Sequence, residues 1–379
     1  MNILVAGIMG RHPYGGVSWC SLMYLLGLQR LGHRVWYIED TGETNFDPVA
    51  NMRAAEPSYA LGSIQRTLEP HGLGDRWCYI DCFGKFHGLG ETEWRRVCKD
   101  ADLLVNLSGG CWFWRDEYAS IERCVYVDSD PAFTQLAIAT GPDWYRHFFE
   151  RFDVLFTFGA NIGTPGSPVP VGDFAWEHTW QPVSLQEWAG TPPDRSDPRL
   201  TTVMTWQIES FADIGGNKEG EFGLIGDLPG RVGIPLELAI NAPDHVLVDL
   251  AQRGWRVRSA FEASSDVDVY RRYLQAASGE LSVAKSTYVR NRSGWFSDRT
   301  ECFLAAGRPA VVQDTGWSQH LPTRRGLFAF DDTEGACAAV DELLTRPEAH
   351  RTAASELARE YFADDVVLPA LLSRAMVDP

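Results

Sequence analysis

Asn2-Ile3-Leu4-Val5-Ala6, the loop Gly7 to Gly16, the stretch Val17 to Leu31 and Val35-Trp36-Tyr37-Ile38 read in succession as strand, glycine loop, helix and strand. The apolar run at 2–6 is short enough for a buried strand. Val17, Leu22, Leu25, Leu26 and Leu28 then recur at helical spacing, and Gly32 ends that helix. A strand that returns through a helix to another apolar strand makes a parallel pair, so a β-α-β unit and an α/β fold are expected. Further buried strands are expected at Leu103–Val105, Cys124–Val127 and Val154–Thr157.

From Gly163 to about Arg199 the pattern gives way to Pro, Gly and Trp, as in GTPGSPVPVG and TPPDRSDP. Such a stretch suits a stiff domain junction. A second alternation begins at Thr201–Thr205. It continues through strands near Val257, Leu281–Ala284, Ala310–Val312 and Leu327–Phe330, with helices around 246–253, 267–277, 300–306 and 336–344. The expected organisation is an N-terminal Rossmann-like domain over 1–165 and a Pro-rich linker over 166–200. A C-terminal Rossmann-like domain follows over 201–355, and a final helix over 356–379 packs back on the first domain. The two parallel sheets should face a cleft. A length of 379 residues agrees, because single cores stop growing near ~250–300 residues.

The composition is globular, with 45% hydrophobic residues, and the net charge is −17. A field of that sign repels polyanions, so nucleic acid and anionic membranes are expected to be excluded as partners. No apolar run approaches the ~20 residues of a membrane helix, and a cytoplasmic location is expected. The eight cysteines lack metal-type pairing: Cys78 and Cys82 form a single C-x-x-x-C with no second half, which reads as reduced core thiols. The 14 Trp suggest flat surfaces for sugars or aromatic ligands, alongside ordinary core filling.

Two loops carry the chemistry. Gly10-Arg11-His12-Pro13-Tyr14-Gly15-Gly16-Val17 opens a helix whose amide groups can bind an anion, but it lacks the G-x-G-x-x-G series of dinucleotide enzymes. Lys285 to Val312 is the stronger segment. It is a loop rich in Arg, Ser and Gly, leading into a short helix with Asp298 near its start and Glu301 a turn later. A helix start with adjacent Arg can hold a diphosphate, and a carboxylate beyond it can accept from a ribose diol. The plainer alternative has Asp298 as a cap and Glu301 paired with Arg299 or Arg308.

Pro13-Tyr14-Gly15-Gly16-Val17 with Leu31-Gly32-His33-Arg34-Val35, and then Glu301 to Val311, resemble glycosyltransferases of the two-Rossmann type, the GT-B fold, allied to family 4. The resemblance implies that Gly15 and Gly16 lie at the donor diphosphate and that Glu301 holds the nucleotide ribose. The family's first glutamate is replaced by Ser293, so sugar contacts fall to Ser293, Gly294, Trp295 and Phe296. Of the family's Arg and Lys pair only Lys218 is visible, and Lys218, Lys285, Arg290 and Arg292 become the candidates facing the diphosphate. His12 is the first candidate for the catalytic base, in the loop where inverting relatives carry a histidine.

Asp128 and Asp130 stand behind it. Their D-x-D spacing at a strand end also resembles the metal motif of the other glycosyltransferase fold, but no metal is expected here. Asp314, Thr315 and Gly316, at the end of a buried strand, are candidates for sugar or acceptor hydroxyls. Trp112, in Cys111-Trp112-Phe113-Trp114, suggests an aromatic or lipophilic small-molecule acceptor, as in natural product biosynthesis. The expected function is metal-independent transfer of a sugar from a nucleoside diphosphate sugar, with no cofactor. The alternatives are a nucleotide-sugar 2-epimerase and a non-catalytic nucleotide-sugar-binding protein.

Overall fold

The computed structural model describes residues 1–206 and 218–377. In the first half the strands are β1 (Asn2–Ala6), β2 (Arg34–Glu39), β3 (Asn45–Asp47), β4 (Met52–Ala54), β5 (Trp77–Ile80), β6 (Phe86–Gly88), β7 (Leu103–Leu107), β8 (Arg123–Asp128), β9 (Val154–Thr157) and β10 (Trp176–His178). Eight of them form one sheet in the order β10-β9-β8-β7-β1-β2-β5-β6, and β3 and β4 pair apart as a hairpin. Only β6 runs antiparallel in the large sheet.

The second half carries β11 (Leu200–Thr205), β12 (Leu236–Asn241), β13 (Arg256–Ser259), β14 (Gly279–Ser282), β15 (Ala310–Gln313) and β16 (Leu327–Phe330), all parallel, in the order β13-β12-β11-β14-β15-β16. In both sheets the chain builds outward on one side of the first strand and then crosses to the other. The order therefore reverses between β1 and β7, and again between β11 and β14. The central strands are buried because helices cover both faces, whereas the edge strand β13 is mostly exposed.

β12 is absent from the sequence expectation because Glu237 interrupts its apolar run. That carboxylate is buried and satisfied: Arg199 Nε donates to it at 3.0 Å and the Tyr273 hydroxyl at 2.7 Å. A buried charge with two partners is tolerated inside a strand.

The Pro-rich junction is more ordered than a linker. It contributes β10 to the edge of the first sheet, and Trp188 is wholly buried. The Asp364–Ala375 helix lies on the Gly15–Arg30 helix, and a Cβ on Gly27 would collide with Leu368. Val183 and Ala363 form a parallel bridge, with Val183 N donating to Phe362 O at 2.7 Å. The last helix thus closes over the first half, and one apolar core runs from Ile3 through Phe303 to Leu371. Among the described residues no helix is long and apolar enough to cross a membrane.

Candidate active site

A cavity of about 700 Å³ lies between the sheets. From the first half it is lined by Gly7 and Ile8, just past β1, and by Leu107 and Ser108 at the end of β7. From the second half it is lined by Val203 to Trp206 at the end of β11 and by Lys285 shortly after β14. These are the C-terminal strand ends at both reversal points, where open α/β sheets receive ligands.

Charged side chains concentrate on one stretch of the wall: Asp130, Lys218, Lys285, Asp298 and Arg299. Lys285 Nζ reaches across the cleft to Asp130 Oδ1 at 2.6 Å, and the Tyr288 hydroxyl donates to the same oxygen. Tyr288 stacks on Trp295 at 4.4 Å, and Trp295 Nε1 donates to Ser129 O at 3.2 Å. Burial would raise the Asp130 carboxyl, but Lys285 and Tyr288 outweigh it and hold the group below the ordinary range. A carboxylate kept ionised in this way is a weak base.

Lys218 is 9% exposed and makes no ion pair with another described residue. Burial first, and then the neighbouring Arg299 and Lys285 charges, push its proton affinity well down. Such a site gains from an arriving anion. Gly215, Gly216 and Asn217, read with Lys218 as one loop, lie outside the described residues. Asp298 opens the Asp298–Ala305 helix and faces the cavity; burial raises its carboxyl, with Arg299 opposing.

Arg299 also lines the cavity, as do Tyr270, Tyr288, Ser264 and Cys20, none of which the sequence reading places at the site. In that reading Arg299 is only a partner for Glu301. Its position directly after Asp298, at a helix start already assigned to anion binding, is the signal that could have found it.

Several expected residues lie elsewhere. His12 is not among the cavity-lining residues, and burial, with Arg11 and Arg53 nearby, lowers its imidazole to about 4. Asp128 braces its own loop, accepting from Thr134 Oγ1 at 2.6 Å, Gln135 Nε2 at 2.9 Å and Thr157 Oγ1 at 3.0 Å. Burial raises that carboxyl to about 6.

Gly15 serves close packing between the halves, since a Cβ there would strike the Asp266 carbonyl. Gly16 does line the cavity, but its amide already donates to Ser264 Oγ at 3.4 Å, with the Tyr270 ring 3.2 Å from where a Cβ would stand. Arg290 and Arg292 point to solvent. Ser293 and Gly294 form the seam between the halves: Asn161 N donates to Ser293 O at 3.1 Å and Ala160 N to Gly294 O at 3.3 Å.

Phe296 is core, 5.4 Å from the Phe362 ring and stacked on it. Glu301 is 1% exposed and faces the first half, accepting from the Gln181 backbone; burial holds its carboxyl far above the ordinary range. It is therefore off the cavity wall, and of the two acids on this helix Asp298 is the one that lines it. Asp314 accepts from Gly316 N at 2.8 Å and Ser318 Oγ at 2.6 Å, which makes it a turn residue. Thr315 Oγ1 donates to Trp295 O at 2.6 Å, and Gly316 abuts Asn161, so this turn supports the seam. Trp112 sits in an aromatic core, 4.3 Å from the Phe148 ring. Lys218, Lys285, Trp295, Asp298, Asp130 and Gly16 are the expected residues that the cavity brings together.

No protein-family model matches this sequence, and no curated protein does. Solved structures do match over nearly the whole chain. An alpha-glucosyltransferase in complex with UDP-glucose and DNA containing an abasic site shares 11% identity, covers 99% of this chain and 98% of its own, and superposes with a TM-score of 0.63. Anabaena HepE in complex with UDP and glucose shares 12% identity, covers 99% of each chain and has a TM-score of 0.58. AviGT4, a glycosyltransferase involved in avilamycin A biosynthesis, shares 12% identity over 98% of this chain and 96% of its own, with a TM-score of 0.52.

The two-Rossmann fold read from the sequence is thus shown. The exclusion of nucleic acid is overturned, because a protein of the same fold is seen holding DNA beside its sugar nucleotide. Net charge describes a whole surface and says little about one cleft.

Proposed function

We propose that this chain, which has the GT-B fold, transfers a sugar from a nucleoside diphosphate sugar to an acceptor hydroxyl. The observation that carries this reading is the convergence of Lys218 and Lys285 on a cavity formed by both strand-order reversals. A leaving nucleoside diphosphate develops negative charge, and fixed cations in a partly dry cleft stabilise it strongly. Lys285, tethered to Asp130, and Lys218, which pairs with no acid among the described residues, supply that charge from the chain itself, so the reading is of transfer without a metal. Asp298 is the cavity carboxylate without a salt bridge to a lysine, and it accepts donor hydroxyl groups. UDP, UDP-glucose and glucose in structures of the same fold support the donor class and make UDP the first nucleotide to try.

The test is melting and turnover with UDP-, dTDP- and GDP-sugars, with and without EDTA. Acceptors should include both small hydroxyl compounds and DNA. The expected result is a rise in melting temperature with one donor family, and donor hydrolysis or transfer that survives EDTA. Stabilisation with neither hydrolysis nor transfer would favour a non-catalytic binding protein, a reading consistent with Asp130 being held ionised by Lys285 and with His12 lying off the cavity wall. Failure of every nucleotide to stabilise the protein would sink both readings.

A further inference from the structure

Arg299 is held in a manner unlike the other cavity cations. Its Nε donates to Glu280 Oε1 at 2.7 Å, one terminal nitrogen to Val203 O at 2.8 Å and the other to Ser282 Oγ at 2.7 Å. The three acceptors sit on β11 and β14, the neighbouring strands at the reversal point, so the guanidinium is fixed against the middle of the second sheet. A guanidinium has five N–H groups. Three are engaged here, and each terminal nitrogen keeps one more, while the side chain lines the cavity. Two N–H groups from one planar fork are the arrangement that binds phosphate oxygens in pairs.

Glu280 is fully buried, and its Oε2 has no hydrogen-bond partner among the described residues. A carboxylate buried at such a cost is offset here mainly by its bond to Arg299.

We propose that Arg299 receives the diphosphate of the nucleotide through its two remaining N–H groups, and that Glu280 is a positioning residue that presents it. This rests on the reading of the cavity as a sugar-nucleotide site. It adds a paired, directional contact that a lysine ammonium such as that of Lys218 does not supply. It also makes Glu280, which is sealed from the cavity, a determinant of how strongly diphosphate is preferred over a bare nucleoside. Preorganisation is the physical gain: a fork already locked in place loses little freedom when the ligand arrives.

The experiment is calorimetric titration of the full chain with UDP, dTDP and GDP and with the matching nucleosides, in the wild type and in Arg299→Lys, Glu280→Gln and Ser282→Ala. Arg299→Lys should lower affinity for the bound nucleoside diphosphate about tenfold or more while leaving the nucleoside unchanged, because lysine keeps the charge and loses the fork. Glu280→Gln should narrow the same preference by about threefold to tenfold, with Ser282→Ala giving a smaller change in the same direction.

If either of the first two variants fails to fold, Ser282→Ala decides, since it removes one acceptor of the Arg299 guanidinium while leaving the Arg299–Glu280 ion pair in place. An unchanged diphosphate preference in Arg299→Lys, or in Ser282→Ala standing alone, would overturn the proposal. So would an equal loss for diphosphate and nucleoside in Glu280→Gln, which would mark a merely structural role. A wild type that binds no nucleoside diphosphate would overturn the donor reading along with it, whereas discrimination by the wild type that survives these changes would remove only this inference.

Discussion

At the scale of single residues, the difference between Asp298 and Glu301 is a matter of where one helical turn falls. The cavity touches Ser297, Asp298 and Arg299, the first residues of the helix. Three residues on, the chain has advanced about 4.5 Å along the axis, and Glu301 meets the first half instead of the ligand space. Glu301 accepts from the Gln181 backbone, and Gln181 Nε2 in turn donates to Cys20 O on the Gly15–Arg30 helix at 2.9 Å. Donor kinetics should separate the two acids. Asp298→Ala should raise donor KM or lower kcat by about tenfold, the weight of a hydrogen bond to a charged group, while Glu301→Gln should leave donor KM within about twofold. Steady-state donor hydrolysis by the two variants measures this, and a Glu301→Gln defect confined to donor KM would return that residue to the site. The acid was legible in the sequence as a helix-start carboxylate; which of two it was depended on packing that no local pattern encodes.

At the scale of elements, the glycine loop illustrates how a ligand signature and a packing signature can coincide. Glycine permits close approach of any backbone, and at Gly15 the approaching group is the Asp266 carbonyl at the start of the Val267–Ala276 helix. Trp19 Nε1 donates to Val267 O at 2.8 Å and fixes the same contact. Gly15→Ala should therefore push the halves apart, lowering stability by about 1–3 kcal/mol, as overpacking of a tight contact does. The check is a lower thermal midpoint for Gly15→Ala than for Gly90→Ala, since nothing stands within 4 Å of a Cβ at Gly90. Equal midpoints would show that the contact is looser than described. The Lys285–Val312 segment divides in the same way. Its beginning and middle, at Lys285 and Trp295, meet the cavity, whereas Ser293 and Gly294 meet the first half.

Across the whole molecule, burial sets how stability answers to pH. His178 is pushed down to about 3 by burial, with His320 and Arg374 adding to it, and His12 to about 4. Both are neutral when folded and ionise near 6.5 when unfolded. Their contribution is therefore complete above 6.5 and is lost as pH falls toward 3 to 4. Glu39 runs the other way. Burial raises its carboxyl to about 7 although the Tyr37 hydroxyl and the Gly10 and Arg11 amides donate to it. Its contribution is complete below about 4.5 and fades as pH rises through 7.

Melting in buffers from pH 8 to 4 should show His178→Asn with a flatter fall below pH 6.5 than the wild type. The difference is at most about 4 kcal/mol, because each tenfold loss of proton affinity on folding is worth ~1.4 kcal/mol. Parallel curves for the two proteins would mean that His178 keeps an ordinary proton affinity when folded.

β12, β10 and the strands between residues 42 and 90 are not legible in the linear chain, whereas the parallel sheets, most of their central strands and the two-Rossmann plan are. They follow from local hydrophobic period, from glycine and proline stops, and from the covalent rule that parallel strands need a crossover. Lys218 and Lys285 are legible too as cations near strand ends, whereas Arg290 and Arg292, chosen on the same ground, point to solvent. Which face of each loop looks into the cleft is fixed only in three dimensions. That depends on how the halves dock, and docking turns Glu301, Gly15 and Ser293 into packing residues while leaving Asp298 and Arg299 on the cavity wall. Strand register and helix phase are properties of a short segment. A binding wall is assembled from segments more than a hundred residues apart, and its composition is fixed only when they meet.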